Sequence, residues 1–505
     1  MSLAVLAGRA MFGLQARPVQ VEVHVGCGLP AFSIVGLPGA GVRESRDRVR
    51  SAILSCGFEF PSGRITVNLA PADLPKDSGR FDLPIAVGIL LASGQIDRPP
   101  SGTTEMSHYV LAGELSLTGA LMAERAALAI ALALAREDHE AVLILAPPAA
   151  GIAALVPGLC VLQAQSLEEV VAHMAGRQPL SVAPPAALPL ASGQLACMSE
   201  VRGQALARQA LEIAAAGGHS VLFCGPPGVG KSMLAQRLPG LLPPLTQTQA
   251  LEVAAVQGLV SIQQGLSAAP PFRAPHHGAS TAALVGGGAH PRPGEISLAH
   301  HGVLFLDELP EFDHRALEAL REPLETGSVT VARAAGSYRF PARFQLLAAM
   351  NPCPCGWYGH PRRVCRCPQE RILKYRAQVS GPLLDRIDLH VTLAAEKAWH
   401  ELPVGESSEA VRVRVLAARR RQLQRQDCLN AQLGATGLLA NVQLDDAARA
   451  LLAEAIHRLG WSARASQRAL RVARTLADLD GLEQPRLEHV AQAVQFRPSS
   501  DDVGA

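Results

Sequence analysis

Residues 225–232 read GPPGVGKS and fit the phosphate-binding pattern G-x-x-x-x-G-K-[ST] without a mismatch. An apolar run at 220–224 (SVLFC) precedes the motif, and 232–238 (SMLAQRL) has the pattern of a helix. A strand that enters a glycine-rich loop and a helix that leaves it direct successive backbone N–H groups at one point. The sequence therefore predicts an α/β fold with an anion-binding loop.

Each residue of this loop has an expected part in binding ATP and Mg²⁺. Lys231 is expected to reach the β- and γ-phosphates, and the Ser232 hydroxyl is expected to lie on Mg²⁺. The alternative is a glycine-rich turn that binds no nucleotide, but the flanking strand and helix favour the nucleotide. The expected nucleotide-binding residues of the loop are Gly225, Pro226, Pro227, Gly228, Val229, Gly230, Lys231 and Ser232.

Two further strands are predicted to end in polar residues. Residues 303–306 (VLFL) are typical of a buried strand in a parallel sheet, and Asp307 and Glu308 follow them. Asp307 is expected to hold the metal through water and Glu308 to polarise the attacking water. A third strand at 344–350 ends at Asn351, whose amide is suited to orient the same water. Ligands of open α/β sheets bind at the carboxyl edge, so these residues predict ATP hydrolysis there.

Composition limits the class of protein. The 505 residues contain 46 Lys and Arg against 44 Asp and Glu, so the net charge of +2 marks no general nucleic-acid binder. Aromatic residues make up 4%, which argues against an extended base-stacking platform. The longest apolar run, 126–135, is about half of a bilayer span. We expect two to four domains, no membrane partner, no secretion signal and a cytoplasmic location.

Four of the ten cysteines lie close together in the segment CPCGWYGHPRRVCRC. Two C-x-C pairs could place four thiolates around one structural Zn²⁺, although this spacing is tighter than the usual C-x₂-C. His360 could replace one cysteine, and a reduced loop without metal is the main alternative. The predicted zinc ligands are Cys353, Cys355, Cys365 and Cys367.

The N-terminal residues 1–175 alternate strand and helix patterns, and 73–86 and 112–119 resemble the proteolytic domain of the Lon family. That family uses a serine and a lysine as a catalytic dyad. Here Gly79-Arg80-Phe81 stands where the serine is expected, and 121–127 contains no lysine. A scaffolding or DNA-facing role is therefore favoured over a peptidase, for which Ser78 is the remaining candidate nucleophile.

A hairpin is predicted before the strand that ends at Asn351, with its turn at Gly336-Ser337. It resembles the DNA-contacting finger of ring helicases of the MCM and magnesium-chelatase branch. A solvated edge hairpin is the alternative. Upstream, the glycines 286–288 are expected to form a mobile loop that faces a ring's pore. The histidines of 274–301 are expected to have structural or loop roles, with metal ligation by His276, His277, His300 and His301 as the alternative. The candidate DNA-binding residues of the hairpin are Arg333, Arg339 and Arg343.

Two arginines resemble residues that AAA+ enzymes use at the nucleotide. Arg386, in GPLLDRID, resembles the arginine finger that enters a neighbouring subunit's site. A local salt bridge with Asp385 or Asp388 is the alternative. Arg464 resembles the lid arginine called sensor 2, with Arg468 one turn later as the other candidate.

Together, these motifs resemble the ComM/YifB family of magnesium-chelatase-like AAA+ proteins over essentially the whole chain. The resemblance implies a Lon-protease-like (S5 domain 2-like) domain at 1–175, a linker at 176–196, an AAA+ P-loop core at 197–395 that includes the cysteine insertion at 353–367, and a helical lid at 396–505. It implies a hexameric, ATP-driven DNA motor that assists branch migration during natural transformation. The catalytic set would be Lys231, Glu308, Asn351 and Arg464, with Arg386 from the next subunit. A remodeller of a protein partner is the alternative.

Overall fold

The computed structural model describes residues 3–76, 78–96, 106–137, 140–187, 196–260, 266–288, 291–333, 336–394, 402 and 404–497. Contacts divide the chain into two compact units. The first comprises Met1–Pro189 and Gln247–Ser267, and the second comprises Leu190–Thr246 and Ala268–Ala505. Unit 1 thus contains a segment that interrupts unit 2 in the sequence.

The helices and strands are as follows. Between residues 3 and 187 they are β1 (Leu3–Phe12), β2 (Gln15–Gly26), β3 (Ala31–Val35), α1 (Ala40–Ser55), β4 (Arg64–Ala70), α2 (Asp82–Ala92), β5 (Tyr109–Leu111), β6 (Glu114–Leu115), β7 (Leu121–Met122), α3 (Ala127–Glu137), β8 (Val142–Leu145), α4 (Pro147–Ala153), β9 (Cys160–Gln163), α5 (Leu167–Met174) and β10 (Ser181–Val182). Between 196 and 394 they are α6 (Ala205–Gly217), β11 (Val221–Cys224), α7 (Lys231–Ala235), α8 (Leu238–Leu241), α9 (Gln247–Gly258), β12 (Phe272–Arg273), α10 (Thr281–Val285), β13 (Gly286–Gly287), β14 (Arg292–Pro293), α11 (Glu295–Leu298), β15 (Val303–Leu306), α12 (His314–Glu318), α13 (Arg321–Thr326), β16 (Ser328–Arg333), β17 (Gly336–Pro341), β18 (Gln345–Met350), α14 (Gln369–Arg376), α15 (Gly381–Leu384) and β19 (Leu389–Thr392). Between 404 and 497 they are α16 (Ser408–Gln426), α17 (Ala435–Asn441), α18 (Asp446–Leu459), α19 (Ala463–Leu479) and α20 (Leu487–Gln495).

Unit 1 is built on an eight-stranded mixed sheet in the order β10-β9-β8-β5-β1-β2-β4-β3. Helix α2 lies against β1 and β2, and ten of its eleven residues are buried. The close approach needs a glycine, because a Cβ at Gly88 would lie 2.6 Å from the Val23 side chain. This helix therefore forms the centre of the unit's core.

Two features of unit 1 were not predicted. Helix α9 packs against α3, and the Gln247 side chain donates a hydrogen bond to the Leu155 carbonyl. Strand β10 pairs with β9, so part of the segment expected to be a linker at 176–196 is an edge strand, while 188–195 lie outside the described residues. Both are tertiary contacts that a local hydrophobic pattern does not reveal.

Unit 2 contains a five-stranded parallel sheet in the order β12-β15-β18-β11-β19. The register aligns Cys224 with Met350 and Leu306 with Ala348, so the neighbouring strands end at one edge. Every residue of β15 and β18 is buried, as expected for a sheet covered on both faces. The predicted strands at 220–224, 303–306 and 344–350 are thereby confirmed.

Five helices, α16 to α20, make up residues 408–495, in agreement with the helical pattern of this region. Helices α16 and α19 pack on α6, which precedes the first strand of the parallel sheet. Val415 and Ala473 are among the buried side chains that join this group to the sheet core. Across the described residues, we find no helix with the length and apolar character that a membrane crossing requires.

Candidate functional site

The phosphate-binding loop connects β11 to α7. Gly228 and Gly230 have φ angles of 82° and 95°, which L side chains rarely adopt. Gly225 is required for another reason, since a Cβ there would lie 2.7 Å from the Leu393 carbonyl oxygen. No atom lies within 4 Å of the Cβ position at Gly228, so the loop is open on that side. An open loop of this shape fits a phosphate group.

Lys231 lies at the start of α7 with its Nζ atom turned into the loop. Nζ donates hydrogen bonds to the carbonyl oxygens of Gly225 at 2.6 Å and Pro226 at 3.0 Å, and to Asn351 Oδ1 at 2.9 Å. Burial lowers the pKa of Lys231, and the nearby carboxylates of Asp307 and Glu308 oppose that shift. The structure thus brings the predicted lysine and asparagine together from two different strands.

Ser232 and Asp307 form the second pair at this edge. Ser232 Oγ donates to Asp307 Oδ2 at 2.5 Å, and the next backbone amide, that of Glu308, donates to Asp307 Oδ1 at 3.0 Å. A hydroxyl and a carboxylate at this separation are oxygen ligands of the kind that Mg²⁺ prefers. The residues present therefore fit a Mg²⁺-nucleotide.

Glu308 leaves β15 in the left-handed region, with a φ of 54°. Such a conformation is uncommon outside glycine and is often found at functional sites. The Glu308 carboxylate lies 3.0 Å from His277 Nδ1, and about half of the Glu308 side chain is exposed. Sequence reasoning missed this partner, because His277 was considered only for a structural or loop role or as a metal ligand.

Arg386 is buried and paired within its own chain. Its guanidinium donates to the Glu325 carboxylate and to the Pro382 carbonyl. The alternative considered for Arg386, a local salt bridge with Asp385 or Asp388, is wrong, because its guanidinium pairs with Glu325 of α13. Asp388 instead binds the Arg468 guanidinium at 2.5 Å.

Asp388 is the centre of a buried polar network that joins the sheet to α19. It accepts from His219 Nδ1 at 3.2 Å, and His219 Nε2 lies 2.7 Å from Thr475 Oγ1. Burial alone would raise the pKa of Asp388, but the hydrogen bond from His219 and the charge of Arg468 hold it well below its usual range.

Arg464 is exposed and enters none of the ion pairs between described residues. Of the two lid candidates, Arg464 is the one with a free guanidinium.

The predicted arginine hairpin forms from β16 and β17. Arg333 and Arg339 lie on its strands, Arg343 follows β17, and all three are exposed. The glycines 286–288 are only partly a loop, because β13 and β14 form a second short hairpin there. The Arg333 guanidinium approaches within 2.9 Å of the Cβ position at Gly287, so the two hairpins meet. Arg292, exposed on β14, adds a cationic residue that sequence reasoning missed although its segment had been singled out.

The four clustered cysteines converge as predicted. The Sγ atoms of Cys353, Cys355 and Cys365 are 3.4 to 3.6 Å apart, and Cys367 completes a group within 4.8 Å. Four thiolates about 2.3 Å from one Zn²⁺ would have Sγ separations of about 3.8 Å, so the set fits the ion. His360 is not part of the group: its Nδ1 accepts the amides of Arg362 and Arg363.

Comparison with known proteins covers nearly the whole chain. The family "Magnesium chelatase, subunit ChlI" matches residues 197–400, "Subunit ChlI of Mg-chelatase" matches 21–148, and the ChlI C-terminal family matches 405–497. The chain is 44% identical over 506 residues to competence protein ComM of Haemophilus influenzae, and 45% identical over 504 residues to YifB of Salmonella typhimurium. These alignments cover 98% of this chain and 98% and 97% of the relatives. The chain belongs to the ComM/YifB family.

One more distant similarity concerns part of this ComM/YifB-family chain. DNA replication licensing factor mcm-6 of Caenorhabditis briggsae is 31% identical over 103 residues, which cover 20% of the present chain and 12% of that protein. The present chain thus shares a segment with a protein named for DNA replication, and its magnesium-chelatase-like AAA+ type rests on the family match to 197–400.

In unit 1 of this family member, the contacts between described residues place no base beside the remaining peptidase candidate, Ser78. Ser78 Oγ accepts a hydrogen bond from Arg80 Nε at 2.5 Å, and Arg80 pairs with Glu124. Lys76 is buried, and its Nζ donates to the carbonyls of Gly36, Leu69 and Pro71. The contacts of these described residues give Lys76 a structural role and provide no activation of Ser78.

Proposed function

We propose that this ComM/YifB-family protein is an ATP-dependent DNA motor that works as a ring of identical subunits, with six as the expected number. The observation that carries the proposal is the convergence of Lys231, Ser232, Asp307 and Asn351 within hydrogen-bond distance at one sheet edge. Bound Mg²⁺ would supply charge neutralisation of the phosphates, and Lys231 and the loop amides would hold them.

In this proposal, Glu308 takes up a proton from the attacking water and Asn351 orients that water. Arg464 contacts the phosphates from the same subunit, and Arg386 does so from its neighbour. Each of these groups acts only when it is aimed at the reacting phosphate. Because Arg386 would come from the neighbouring subunit, we place the site where two subunits meet.

The nucleic-acid part of the proposal rests on the paired hairpins. Arg333, Arg339 and Arg343 are exposed on one hairpin, and Arg292 lies on the other. Exposed arginines on such projections suit the phosphates of a single strand or a branched junction. The names of two relatives, a competence protein and a DNA replication licensing factor, also support a role in DNA processing. The setting that we propose for it is natural transformation, in the cytoplasm. Unit 1 would then serve as a scaffold.

The test of this function is ATP turnover by purified protein with and without single-stranded DNA, together with movement of a three-stranded junction. The variant with Arg333, Arg339 and Arg343 changed to Gln is expected to bind DNA at least ~10-fold more weakly, because phosphate contacts dominate such affinities. Its turnover without DNA should stay unchanged. A wild-type protein that neither binds DNA nor moves the junction would refute the motor.

The alternative is an AAA+ remodeller of a protein partner, favoured by the magnesium-chelatase family match. It predicts ATP turnover that a protein partner stimulates and that DNA leaves unchanged. The same turnover assay therefore separates the two functions.

The prediction that the cysteine cluster binds zinc can be tested by metal analysis of the purified protein. We expect about one Zn²⁺ per chain, with loss of the metal and a lower Tm in Cys365→Ser, because three thiolates hold the ion less tightly than four. Cys160→Ser is the matched control, since Cys160 is exposed and lies outside the cluster. Protein purified without chelator that contains no zinc would show that the cluster is a reduced loop.

A further inference from the structure

The segment between Cys353 and Arg376 is strongly cationic, and we call it the basic knuckle. It has six arginines and lysines and one acidic residue, Glu370, so five positive charges lie in a stretch of a chain whose net charge is +2. The cationic residues are Arg362, Arg363, Arg366, Arg371, Lys374 and Arg376. Positive charge is therefore clustered at the knuckle, as it also is in α16, although the overall balance of the chain is nearly neutral.

Three arginines of the knuckle have no acidic partner among the described residues. Arg362, Arg363 and Arg366 are exposed, and none of the ion pairs between described residues involves them. Some other exposed arginines of the same unit do have acidic partners, as Arg449 has in Asp446 and Arg458 in Glu454. Three uncompensated guanidinium groups on one short loop indicate an anionic partner.

Aromatic rings lie among these charges. The Arg363 guanidinium lies 4.2 Å from the centre of the Trp357 ring, and that of Arg376 lies 5.2 Å from the centre of the Tyr358 ring. The Tyr358 side chain is 42% exposed. The chain has only three Trp and four Tyr in 505 residues, so a Trp next to a Tyr on one cationic loop is unusual for this sequence. Alternating rings and cations suit bases and phosphates of a single strand.

Cys353 of the cysteine cluster and the His360 ring contact the segment that carries the two aromatic rings. The Tyr358 amide donates to Cys353 Sγ at 3.3 Å, and the Trp357 ring packs edge-on against His360 at 5.1 Å. Amides of Arg362 and Arg363 bind the same His360 ring. The knuckle is thus a fixed surface, which lowers the entropy cost of binding.

The knuckle also touches the phosphate-binding loop. Gly356 has a φ of 80°, and a Cβ there would lie 2.5 Å from Pro227 Cδ. The backbone of the knuckle and the loop that would hold ATP are therefore in direct contact. A ligand that shifts or stiffens the knuckle would act on the phosphate-binding loop through Pro227.

We propose that the basic knuckle binds single-stranded nucleic acid, through phosphates on Arg362, Arg363 and Arg366 and bases on Tyr358 and Trp357, and that this contact stimulates ATP turnover. The inference rests on the proposed motor function and assigns it a second nucleic-acid site, separate from the hairpins. It does not require the arginines to take part in hydrolysis.

The test uses the full chain with Arg362, Arg363 and Arg366 changed to Gln. Its affinity for a fluorescent oligo-dT is measured at several salt concentrations. We expect at least ~10-fold weaker binding, and a slope of log K against log salt that is smaller by about 2, because each single-strand phosphate contact contributes about 0.7. Turnover without DNA should be unchanged, and stimulation by DNA should be lost. Zinc content and Tm equal to wild type would show that the loop is folded.

The matched control removes three exposed arginines elsewhere in the same unit, Arg420, Arg449 and Arg458, which should leave affinity and slope nearly unchanged. A second variant tests stacking. Tyr358→Leu should bind about tenfold more weakly, whereas Tyr358→Phe, which keeps the ring, should bind as wild type does.

Three results would overturn the inference. The first is a variant of Arg362, Arg363 and Arg366 whose DNA affinity and salt dependence equal those of the wild type, while the hairpin variant binds DNA weakly. This result would refute the second site but not the motor function. The second is a changed oligomer mass with unchanged DNA affinity, which would make the knuckle a contact between subunits. The third is a wild-type protein that binds no DNA, which would refute the motor function as well.

Discussion

ATP turnover is expected to fall by ~10²- to 10⁴-fold when Glu308 is replaced by glutamine, while ATP binding is retained. Glutamine keeps the shape of the side chain but cannot accept the proton of the attacking water. Lys231 and the phosphate-binding loop are unaffected, so nucleotide affinity should change by no more than a few-fold. Phosphate release measures turnover, and binding of a fluorescent ATP analogue measures affinity.

Two variants in the same region make this experiment specific. Glu311→Gln removes an exposed carboxylate three residues further along and should leave turnover unchanged. His277→Gln removes the partner of the Glu308 carboxylate but keeps the carboxylate itself, so its effect should be much smaller than that of Glu308→Gln. Turnover of Glu308→Gln equal to wild type would exclude Glu308 as the base.

The second large effect is expected at Arg386. If its guanidinium stabilises charge on the phosphate of a neighbouring subunit, Arg386→Ala should reduce turnover by ~10³-fold or more. The structure pairs Arg386 with Glu325, so a purely structural role must be separated from this one. Glu325→Gln does so, because it removes the ion pair and leaves the arginine in place.

A catalytic role across the interface predicts near-normal turnover in Glu325→Gln and almost none in Arg386→Ala, with both proteins forming oligomers of wild-type mass. Mixing Arg386→Ala with Lys231→Ala subunits should restore part of the turnover, because mixed interfaces then contain one intact site. Equal losses of Tm and turnover in both single variants, without recovery on mixing, would assign Arg386 a structural role.

Several site residues were predictable because their geometry follows from local sequence. The motif at 225–232 fixes a strand, a loop and a helix within a short span, and Asp307 and Asn351 directly follow buried strands. Parallel strands in register end at the same edge, so the meeting of Lys231 with Asn351 followed from the pattern. The convergence of the four cysteines followed likewise from their spacing.

Other contacts were not predictable, since they depend on how distant elements pack. His277 follows β12 and reaches Glu308 only because β12 and β15 are neighbours in the sheet. For Arg386, the alternative to an arginine finger was a salt bridge with Asp385 or Asp388, but its partner Glu325 lies on a helix more than sixty residues earlier in the chain. The choice between Arg464 and Arg468 as the lid arginine also required the structure, because it shows that Arg468 pairs with Asp388 in a buried network.

By itself, the sequence determined the phosphate-binding loop, the strands that carry the acidic and amide residues, the cysteine cluster and the membership of the ComM/YifB family. These features are encoded in short motifs whose backbone geometry is nearly independent of the rest of the chain. Only the tertiary structure decided which arginines are free, which carboxylate each cation meets, that α9 belongs to unit 1 and that Gly356 touches Pro227. The physical reason is that ion pairs and close packing depend on distances between segments far apart in sequence, which the folded core alone sets.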